Sequence, residues 1–234
     1  MKEYIINNKS YRLNIFDKLE PSSAYLIGYL CGDGAFNKKT HKKHEKLSIC
    51  SKELSTIEWI RDNFTPDATI GSVLPINKKR NIVTENLSYR LELSSLMSPI
   101  FKKYGVLNIK KERICVGISK IMFINYLKGL IDSDGHFSSG KRKDRNRVWM
   151  NFGITHQSTS VLNSVQKYLH EELNISSFVN QRKDEDCLDL KVSNIESVVK
   201  LINWLYSTND CPFVKKYQSD KCLALYIEKK PNAT

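Results

Sequence analysis

The sequence predicts an α+β protein with two similar halves, each with the element order α-β-β-α-β-β-α and an antiparallel sheet. Three observations support this fold class: a short segment that occurs twice, a shared alternation of apolar patterns after each copy, and a composition typical of globular chains. The 234 residues are 41% hydrophobic and 26% charged, with only 10 Gly and 6 Pro. This composition excludes collagen-like, low-complexity and disordered chains.

The repeated segment reads AYLIGYLCGDGAF at residues 24–36 and NYLKGLIDSDGHF at residues 125–137. The two copies align without a gap, so that Asp33 and Asp134 are 101 residues apart. Two copies at domain-sized spacing indicate fused domains, because a solenoid would need more repeats. We place the boundary within 113–119, which divides the chain into an N-terminal half, 1–116, and a C-terminal half, 117–234.

Each repeat predicts a helix that ends at its Asp-Gly, with Ser22 and Ser119 as the capping residues. In the first half, hydrophobic periodicity predicts strands at 47–50, 70–76 and 87–93 and helices at 51–64, capped by Ser51, and at 97–104. In the second half it predicts strands at 135–139, 148–155, 175–182 and 188–192 and helices at 158–171, 195–206 and 213–228. Lys and Arg residues lie in or beside the strands of both halves, as in a sheet that contacts phosphates.

The net charge of +12 is spread along the chain, which indicates a polyanionic partner. No apolar stretch approaches the ~18 residues that span a bilayer. The polar N-terminus lacks a signal-peptide core, so we expect an intracellular protein that is not secreted. The six cysteines have no close pairs, which argues against a zinc site or a disulfide scaffold. We expect reduced thiols, mostly in the core.

Small residues recur four positions apart on one face of each repeated helix, at Gly28 and Gly32 and at Gly129 and Ser133. Such a strip lets two helix backbones approach closely, and the repeat supplies the partner helix. Side-by-side packing would bring Asp33 and Asp134 together at one end. Each carboxylate would face the negative end of a helix dipole, at a cost of ~0.3 to 1 kcal/mol. We therefore expect a cation at this end.

Two carboxylates, main-chain carbonyls and phosphate oxygens form an all-oxygen environment that suits Mg²⁺ or a similar divalent ion. Such an ion can polarise a phosphate, generate hydroxide and stabilise a leaving 3′ oxygen, which predicts phosphodiester cleavage. A single Asp-Gly after a helix is more often only a C-cap and turn. Two copies in matched register favour the catalytic interpretation.

The segments IGYLCGDG and KGLIDSDG resemble the paired LAGLIDADG motifs of the single-chain, monomeric homing endonucleases. The resemblance implies a site-specific DNA endonuclease in which two curved sheets form a saddle in the major groove and the repeated helices form the interface. It also implies a DNA-associated protein that makes a double-strand break with 3′ overhangs in a long asymmetric DNA target. The implied cofactor is Mg²⁺ or Mn²⁺, whereas Ca²⁺ is expected to bind without supporting efficient cleavage.

The resemblance also implies roles for individual residues. The last acidic residue of each motif ligates metal in that family, here Asp33 and Asp134, and the preceding carbonyl, here of Gly32 and Ser133, also contacts metal. Cys31 departs from the motif, whereas the second copy keeps an acidic residue, Asp132, at this helix-interface position. Basic or amide residues order water at the scissile phosphates in that family, and the candidates here are Gln157, Ser51 or Lys52, Lys111 and Lys216.

Strand arginines and amides are candidates for reading base edges, and loop lysines are candidates for binding phosphates. These candidate DNA-binding residues are Lys38, Lys42, Lys43, Lys78, Lys79, Arg80, Arg90, Lys141, Arg142, Arg145, Arg147, Asn151, Gln181 and Arg182. Because the two halves differ in nearly every strand residue, we expect different half-sites.

Three alternatives remain open on the same fold. One is an intron RNA maturase, alone or as a second role of an intron-encoded endonuclease. Another is a non-catalytic DNA-binding regulator, although the presence of both Asp33 and Asp134 argues against lost chemistry. The third is an intein. The chain has no splicing nucleophile at Met1 and no terminal His-Asn, so we expect a free-standing protein.

Overall fold

The structure, a computed structural model, describes residues 4–6, 9–12, 16–38, 45–74, 76–77, 82–83, 87–107, 109–142, 147–182 and 186–229. The α-helices within these ranges are α1 (Pro21–Asp33), α2 (Leu54–Phe64), α3 (Ser98–Lys103), α4 (Phe123–Asp134), α5 (Thr159–Leu173), α6 (Ile195–Leu205) and α7 (Lys216–Lys229). The strands are β1 (Tyr4–Ile6), β2 (Lys9–Tyr11), β3 (Ala35–Lys38), β4 (Glu45–Ser51), β5 (Ile70–Val73), β6 (Ile76–Asn77), β7 (Ile82–Val83), β8 (Ser88–Leu93), β9 (Gly135–Arg142), β10 (Arg147–His156), β11 (Phe178–Gln181) and β12 (Leu188–Val192).

Both halves contain a four-stranded antiparallel sheet with the same strand order. The order is β3-β4-β8-β5 in the first half and β9-β10-β12-β11 in the second. Each repeated helix is followed by a hairpin, a helix, two further strands and a helix, which confirms the predicted α+β fold of two similar halves. Two elements were not predicted, namely the hairpin β1-β2 before the first repeat and the short pair β6-β7.

Helices α1 and α4 pack against each other in the centre of the molecule. Residues 23–32 of α1 and 123–132 of α4 are all buried. A Cβ atom built on Gly28 would lie 1.9 Å from the carbonyl oxygen of Tyr126, and one built on Gly129 would lie 2.0 Å from that of Tyr25. The contact is reciprocal, because Tyr25 and Tyr126 occupy the same position of the repeat. This geometry confirms the predicted close approach of the two helices.

The inward faces of the sheets complete one core around this helix pair. Strands β4 and β8 contribute Leu47, Ile49, Leu91 and Leu93, and strands β10 and β12 contribute Met150, Phe152, Ile154, Leu190 and Val192. Alternate residues along each strand point away from the core, as expected for sheets with one solvent-facing side.

The start of α1 differs from the prediction that Ser22 caps the helix. The helix begins at Pro21, and Glu20 is its N-cap. The hydroxyl of Ser23 accepts a hydrogen bond from the Glu20 amide at 2.9 Å, as in a capping box. Pro21 fits the first helical position because its φ angle is already helical and its missing N–H has no partner there.

Two further caps predicted from serines are wrong. Ser51 is the last residue of β4, and α2 begins three residues later, after Glu53. The Ser51 hydroxyl instead accepts a hydrogen bond from the Glu53 amide at 3.1 Å. Ser119 lies before a turn, where its hydroxyl accepts from the Met122 amide at 3.4 Å, and α4 begins only at Phe123. Serine side chains favour such turns as much as helix ends.

Several other boundaries shift by a few residues. The strand predicted at 70–76 ends at Val73, and the helix predicted at 213–228 begins at Lys216. In contrast, β12 matches the prediction 188–192, and Ser158 caps α5 by accepting a hydrogen bond from the Val161 amide at 3.2 Å.

The cysteines are less buried than predicted. All six are free thiols. Cys31, Cys211 and Cys222 are buried, Cys115 and Cys187 are partly exposed, and Cys50 is exposed. Cys50 lies on the solvent-facing side of β4, because the core-facing positions beside it are Ile49 and Leu47. Among the described helices, none is long and apolar enough to cross a membrane.

Candidate active site and nucleic-acid interface

The C-terminal ends of α1 and α4 lie side by side at one end of the helix pair. A Cβ atom on Gly32 would lie 2.0 Å from the Ser133 hydroxyl oxygen and 3.0 Å from the Asp134 carboxyl carbon. The missing side chain at Gly32 therefore lets the second helix end lie directly against the first. As the packing of the repeated helices predicts, Asp33 and Asp134 are brought together.

Burial and charge shift the pKa values of both carboxyl groups. Burial, followed by the negative charge of Asp134, raises the pKa of Asp33 to about 7. Burial also raises the pKa of Asp134. The positive charges of Lys110, Arg113 and Lys215 oppose both shifts. Two ionised carboxylates at this end of the helix pair thus repel each other, and a bound cation would relieve that repulsion.

Two cavities open beside the pair, one at each carboxylate. The cavity at Asp33 has a volume of ≈ 570 Å³, and its lining includes Tyr29, Ser51, Lys52, Lys215 and Gln218. The cavity at Asp134 has a volume of ≈ 340 Å³, and its lining includes Lys110, Thr155, His156 and Gln157. Ser133 lines both cavities. Each carboxylate therefore shares its cavity with a lysine from the other half of the chain.

The two predicted catalytic lysines do not point to the carboxylates. Lys111 is exposed and lines a neighbouring cavity that also includes Gln157 and Gln181. The ammonium group of Lys216 binds the Asp220 carboxylate, with both N–O distances 3.0 Å, and lies over the Tyr206 ring. The preceding residue in each case, Lys110 or Lys215, lines the cavity instead. The sequence locates these loops but does not determine which of two adjacent lysines faces inward.

The donor set fits a hard divalent cation. The carboxylates of Asp33 and Asp134 and the carbonyl of Ser133 would supply the oxygen ligands that Mg²⁺ prefers. The Gly32 carbonyl already accepts a hydrogen bond from the Arg113 guanidinium at 3.1 Å, so one of its two lone pairs is engaged. In the described ranges no three His, Cys, Asp or Glu residues cluster around a metal position. The remaining ligands of such an ion would be water and phosphate oxygens.

Arg113 is a buried residue of the site that the sequence analysis assigned only to the domain boundary. It is 1% exposed. Its Nη1 donates to the carbonyls of Leu30, Cys31 and Gly32 at 3.1, 2.6 and 3.1 Å, and its Nη2 donates to that of Gly34 at 2.5 Å. The guanidinium thus binds the carbonyls at the end of α1, of which that of Leu30 also accepts from the Gly34 amide, and opposes the negative end of the helix dipole. No periodicity or motif in the sequence signals this role.

His156 is a second buried residue that the sequence analysis missed. Its Nδ1 accepts a hydrogen bond from the Ser158 amide at 2.8 Å. The proton of the neutral ring therefore lies on Nε2, which is 3.0 Å from the Cys31 carbonyl oxygen and 3.9 Å from Asp134 Oδ2. Burial lowers the pKa of His156, so the ring is neutral at pH 7. The first half has Ser51 at the equivalent strand end, so the two cavities differ chemically.

Asp132 is a buried carboxylate at the helix interface, as the motif position predicted. It accepts hydrogen bonds from the Tyr25 hydroxyl at 2.8 Å, the Val214 amide at 3.0 Å and the Lys215 amide at 2.9 Å. Burial raises its pKa to about 6, and the three hydrogen bonds oppose the shift. Asp132 thus connects the end of α4 with the segment that carries Lys215.

Several candidate DNA-binding side chains form contacts within the protein. Arg90 lies 3.3 Å from the Glu92 carboxylate, Lys141 2.6 Å from that of Glu228 and Arg182 3.5 Å from that of Asp189. Gln181 donates to the Cys187 carbonyl at 3.2 Å, and Asn151 is half-buried on β10. Lys38, Arg142 and Arg147 belong to strands, but their side chains lie outside the described part. Lys42, Lys43, Lys78, Lys79, Arg80 and Arg145 lie wholly outside the described residues.

Comparison with known proteins adds a family match and a fold match. Residues 127–223 match the family model described as LAGLIDADG endonuclease. No curated protein matches the sequence. The meganuclease I-SmaMI bound to uncleavable DNA has a similar structure, with a TM-score of 0.61, 16% identity and coverage of 91% of this chain and 92% of that chain.

Two further crystal structures show the same similarity. I-SmaMI bound to an uncleaved DNA target in the presence of calcium ions has a TM-score of 0.59 and 16% identity, and the match covers 90% of this chain and 93% of that chain. The LAGLIDADG homing endonuclease I-GzeII in complex with its DNA target has a TM-score of 0.60 and 14% identity, over 93% of this chain and 94% of that chain. The second half thus carries the LAGLIDADG endonuclease signature in its sequence, and the whole chain has the fold of the LAGLIDADG meganucleases.

Proposed function

We propose that this protein is a site-specific DNA endonuclease that makes a metal-dependent double-strand break. The observation that carries the proposal is the meeting of Asp33 and Asp134 at two helix ends, with one lysine-containing cavity beside each carboxylate. The similar proteins I-SmaMI and I-GzeII bind DNA targets, and the net charge of +12 suits the same partner.

In this proposal Asp33, Asp134 and the carbonyls of Ser133 and Gly32 hold Mg²⁺ or Mn²⁺ together with phosphate oxygens. A bound ion would polarise the scissile phosphate and activate water. The water oxygen forms a bond to phosphorus and loses a proton to solvent, the bond from phosphorus to the 3′ oxygen breaks, and that oxygen takes up a proton as the 3′ hydroxyl. Ca²⁺ is expected to bind without efficient cleavage, in line with the uncleaved target of I-SmaMI in the presence of calcium ions.

Other side chains of the two cavities act on substrate and water. Lys110 and Lys215 provide positive charge where negative charge develops on each phosphate. Gln157, which lines one cavity, and Lys52, which lines the other, hold water in position for attack. His156 stays neutral and holds the end of α1 beside Asp134.

The two sheets provide the proposed DNA interface, a saddle that follows the major groove. The solvent-facing strand residues of the two halves differ, which suits a long asymmetric target with two unlike half-sites. We propose 3′ overhangs, as the motif resemblance implies, and a domain boundary after residue 116. Since the two motifs pack within one chain, the free protein should elute as a monomer in gel filtration. A tight dimer at micromolar concentration would contradict this arrangement.

The experiment that tests the proposal is a cleavage selection. The protein is incubated with a randomised double-stranded DNA library and Mg²⁺, beside an EDTA control, and the resulting ends are sequenced. We expect one long asymmetric site with 3′ overhangs that is absent in EDTA. Retained DNA binding without metal-dependent ends would instead support the non-catalytic regulator. Preferential binding of folded intron RNA would support the maturase.

DNA binding is expected to weaken steeply with salt, because Lys and Arg residues that neutralise phosphates release bound counterions. If the protein contacts roughly six to ten phosphates, affinity should fall by about 10³- to 10⁵-fold between about 50 mM and 200 mM salt. Fluorescence anisotropy with labelled target DNA measures this dependence. A flat response would mean that the net charge of +12 serves another partner.

A further inference from the structure

The repeat carries different residues at one buried position, Cys31 in the first helix and Asp132 in the second. The Asp132 carboxylate accepts hydrogen bonds from the backbone amides of Val214 and Lys215 at 3.0 and 2.9 Å. This carboxylate therefore fixes the backbone of Lys215 relative to the end of α4. The sulfur of the Cys31 thiol is only a weak acceptor and cannot replace a carboxylate that accepts three hydrogen bonds.

The first half makes the equivalent connection with the opposite charge. The segment around Lys110 is closed at its base, where the Ile114 amide donates to the Gly105 carbonyl at 3.1 Å. Within it, the Arg113 amide donates to the Lys110 carbonyl at 3.2 Å, and Arg113 Nε donates to the Leu107 carbonyl at 3.0 Å. The same guanidinium binds four carbonyls at the end of α1.

We propose that Arg113 and Asp132 are positioning residues of opposite charge with the same task, which is to fix one active-site lysine to the end of a repeated helix. Arg113 fixes Lys110, which lines the cavity at Asp134, and Asp132 fixes Lys215, which lines the cavity at Asp33. The catalytic part of this inference rests on the proposed endonuclease function.

A third contact argues that Arg113 does more than cap α1. The hydroxyl of Ser158 donates to the Arg113 carbonyl at 2.5 Å, and Ser158 directly follows Gln157 of the Asp134 cavity. A helix cap would need only the guanidinium and the four carbonyls. Here the backbone of the same residue also connects the Lys110 segment with the second half. Arg113 therefore holds together three chain segments, and two of them, at Lys110 and at Gln157, line the Asp134 cavity.

The inference predicts separate effects of Arg113 and Asp132 on the free protein. Hydrogen exchange of the full chain, read by mass spectrometry, compares Arg113→Lys and Asp132→Asn with the wild type. Hydrogen bonds to charged groups contribute about 1.5 to 3 kcal/mol, so loss of one raises exchange by roughly tenfold or more. Arg113→Lys should raise exchange at 105–114 but not at 212–216, and Asp132→Asn should do the reverse. Equal increases in both segments would overturn the inference.

The second measurement uses the selected DNA target, labelled on either strand. Lys110→Met and Lys215→Met identify which strand depends on each lysine. Arg113→Lys should slow the strand that Lys110→Met slows, by about tenfold relative to the other strand. Asp132→Asn should slow the strand that Lys215→Met slows. A loss of overall stability would slow both strands equally, and that result in both variants would overturn the inference.

The two measurements separate the inference from the proposed function. If the cleavage selection yields no metal-dependent ends while the exchange pattern holds, the endonuclease proposal fails and the positioning of the two segments stands. If the wild type cuts both strands and the variants keep its strand ratio, the inference fails and the endonuclease stands. Arg113→Lys keeps the buried positive charge. Its thermal unfolding is measured first, to test whether the variant folds.

Discussion

Replacement of Gly28 with alanine is expected to lower the free energy of unfolding by about 3 kcal/mol or more. The new Cβ would lie 1.9 Å from the Tyr126 carbonyl oxygen, 2.8 Å from its carbon and 3.1 Å from the Leu130 amide nitrogen. All three atoms belong to the backbone of α4, so no side chain can move aside. The helices must separate, and with them Asp33 and Asp134.

Helix propensity does not offset this clash. Alanine is favoured over glycine in a helix interior by about 1 kcal/mol, which is less than the cost expected from a displaced backbone. For a chain of this length, a loss of about 3 kcal/mol corresponds to a midpoint of thermal unfolding roughly 6 to 12 °C lower. Gly129→Ala should behave alike, because its Cβ would lie 2.0 Å from the Tyr25 carbonyl oxygen.

Gly71→Ala is the matched control for this prediction. Gly71 is exposed on β5, and the nearest atom to its added Cβ would be the Arg90 carbonyl oxygen at 3.9 Å, an ordinary contact. The control should change stability by about 0.5 kcal/mol or less. Calorimetry or thermal circular dichroism measures all three variants. Equal midpoints for Gly28→Ala and Gly71→Ala would show that the helices do not pack at this distance.

The second large effect concerns catalysis. Asp33→Asn and Asp134→Asn are each expected to reduce double-strand cleavage by about 10³-fold or more, a barrier increase of about 4 kcal/mol. An amide is a poorer ligand for a hard cation than a carboxylate. DNA affinity should persist, because the strand faces are unchanged. Cleavage is measured on the selected target, and binding is measured by anisotropy. Full activity in either variant would remove the proposed metal site.

The same substitutions are expected to stabilise the metal-free protein. The pKa of Asp33 is raised to about 7, so the folded state binds its proton more tightly than the unfolded state, whose Asp pKa is near 3.9. Wild-type stability therefore falls as pH rises from about 4 to 7 and stays low above that. Asp33→Asn removes this loss, so its advantage should be absent below pH 4 and largest above pH 7, at about 0.5 to 2 kcal/mol.

Asp220→Asn provides the control for the pH dependence. The Tyr206 hydroxyl and Lys216 lower the pKa of this exposed carboxyl group, so its ionised form favours the folded state. Removal of that charge should leave stability above pH 4 unchanged or slightly lower. The expected change in stability for Asp33→Asn is in the opposite direction. Thermal unfolding in EDTA between pH 4 and 8 tests both variants. If the thermal unfolding midpoints of the wild type and Asp33→Asn changed in parallel with pH, the raised pKa of Asp33 would be contradicted.

The parts of the fold that were predictable depend on local sequence. The register of the repeat predicts that Gly28 faces the second helix. It also predicts that Asp33 and Asp134 lie at the ends of the two helices. The packing at the centre of the molecule was therefore predictable from the spacing of the repeat. The roles of Arg113 and His156 depend on contacts between residues more than 80 positions apart along the chain. Neither residue belongs to a periodic pattern or a motif, and only tertiary packing makes them part of the site.

The choice between adjacent lysines was unpredictable for a different reason. Lys110 and Lys111 begin a single 3₁₀ turn, and Lys215 and Lys216 lie at the start of α7. In such short turns neighbouring side chains point in different directions, and the sequence contains no alternation that distinguishes them. The proposed positioning by Arg113 and Asp132 would distinguish them, and its hydrogen bonds join residues more than 80 positions apart.

The exchange of lysines between the halves limits how such a protein can be recombined. Lys110 of the first half lines the cavity at Asp134, and Lys215 of the second half lines the cavity at Asp33. The strand surfaces, in contrast, are built entirely within one half. In the proposed endonuclease, a chimaera that joins one half to a foreign second half would therefore keep the DNA sequence preference of the retained half. The chimaera would cleave DNA only if the foreign half also placed a lysine in the cavity at the carboxylate of the retained half.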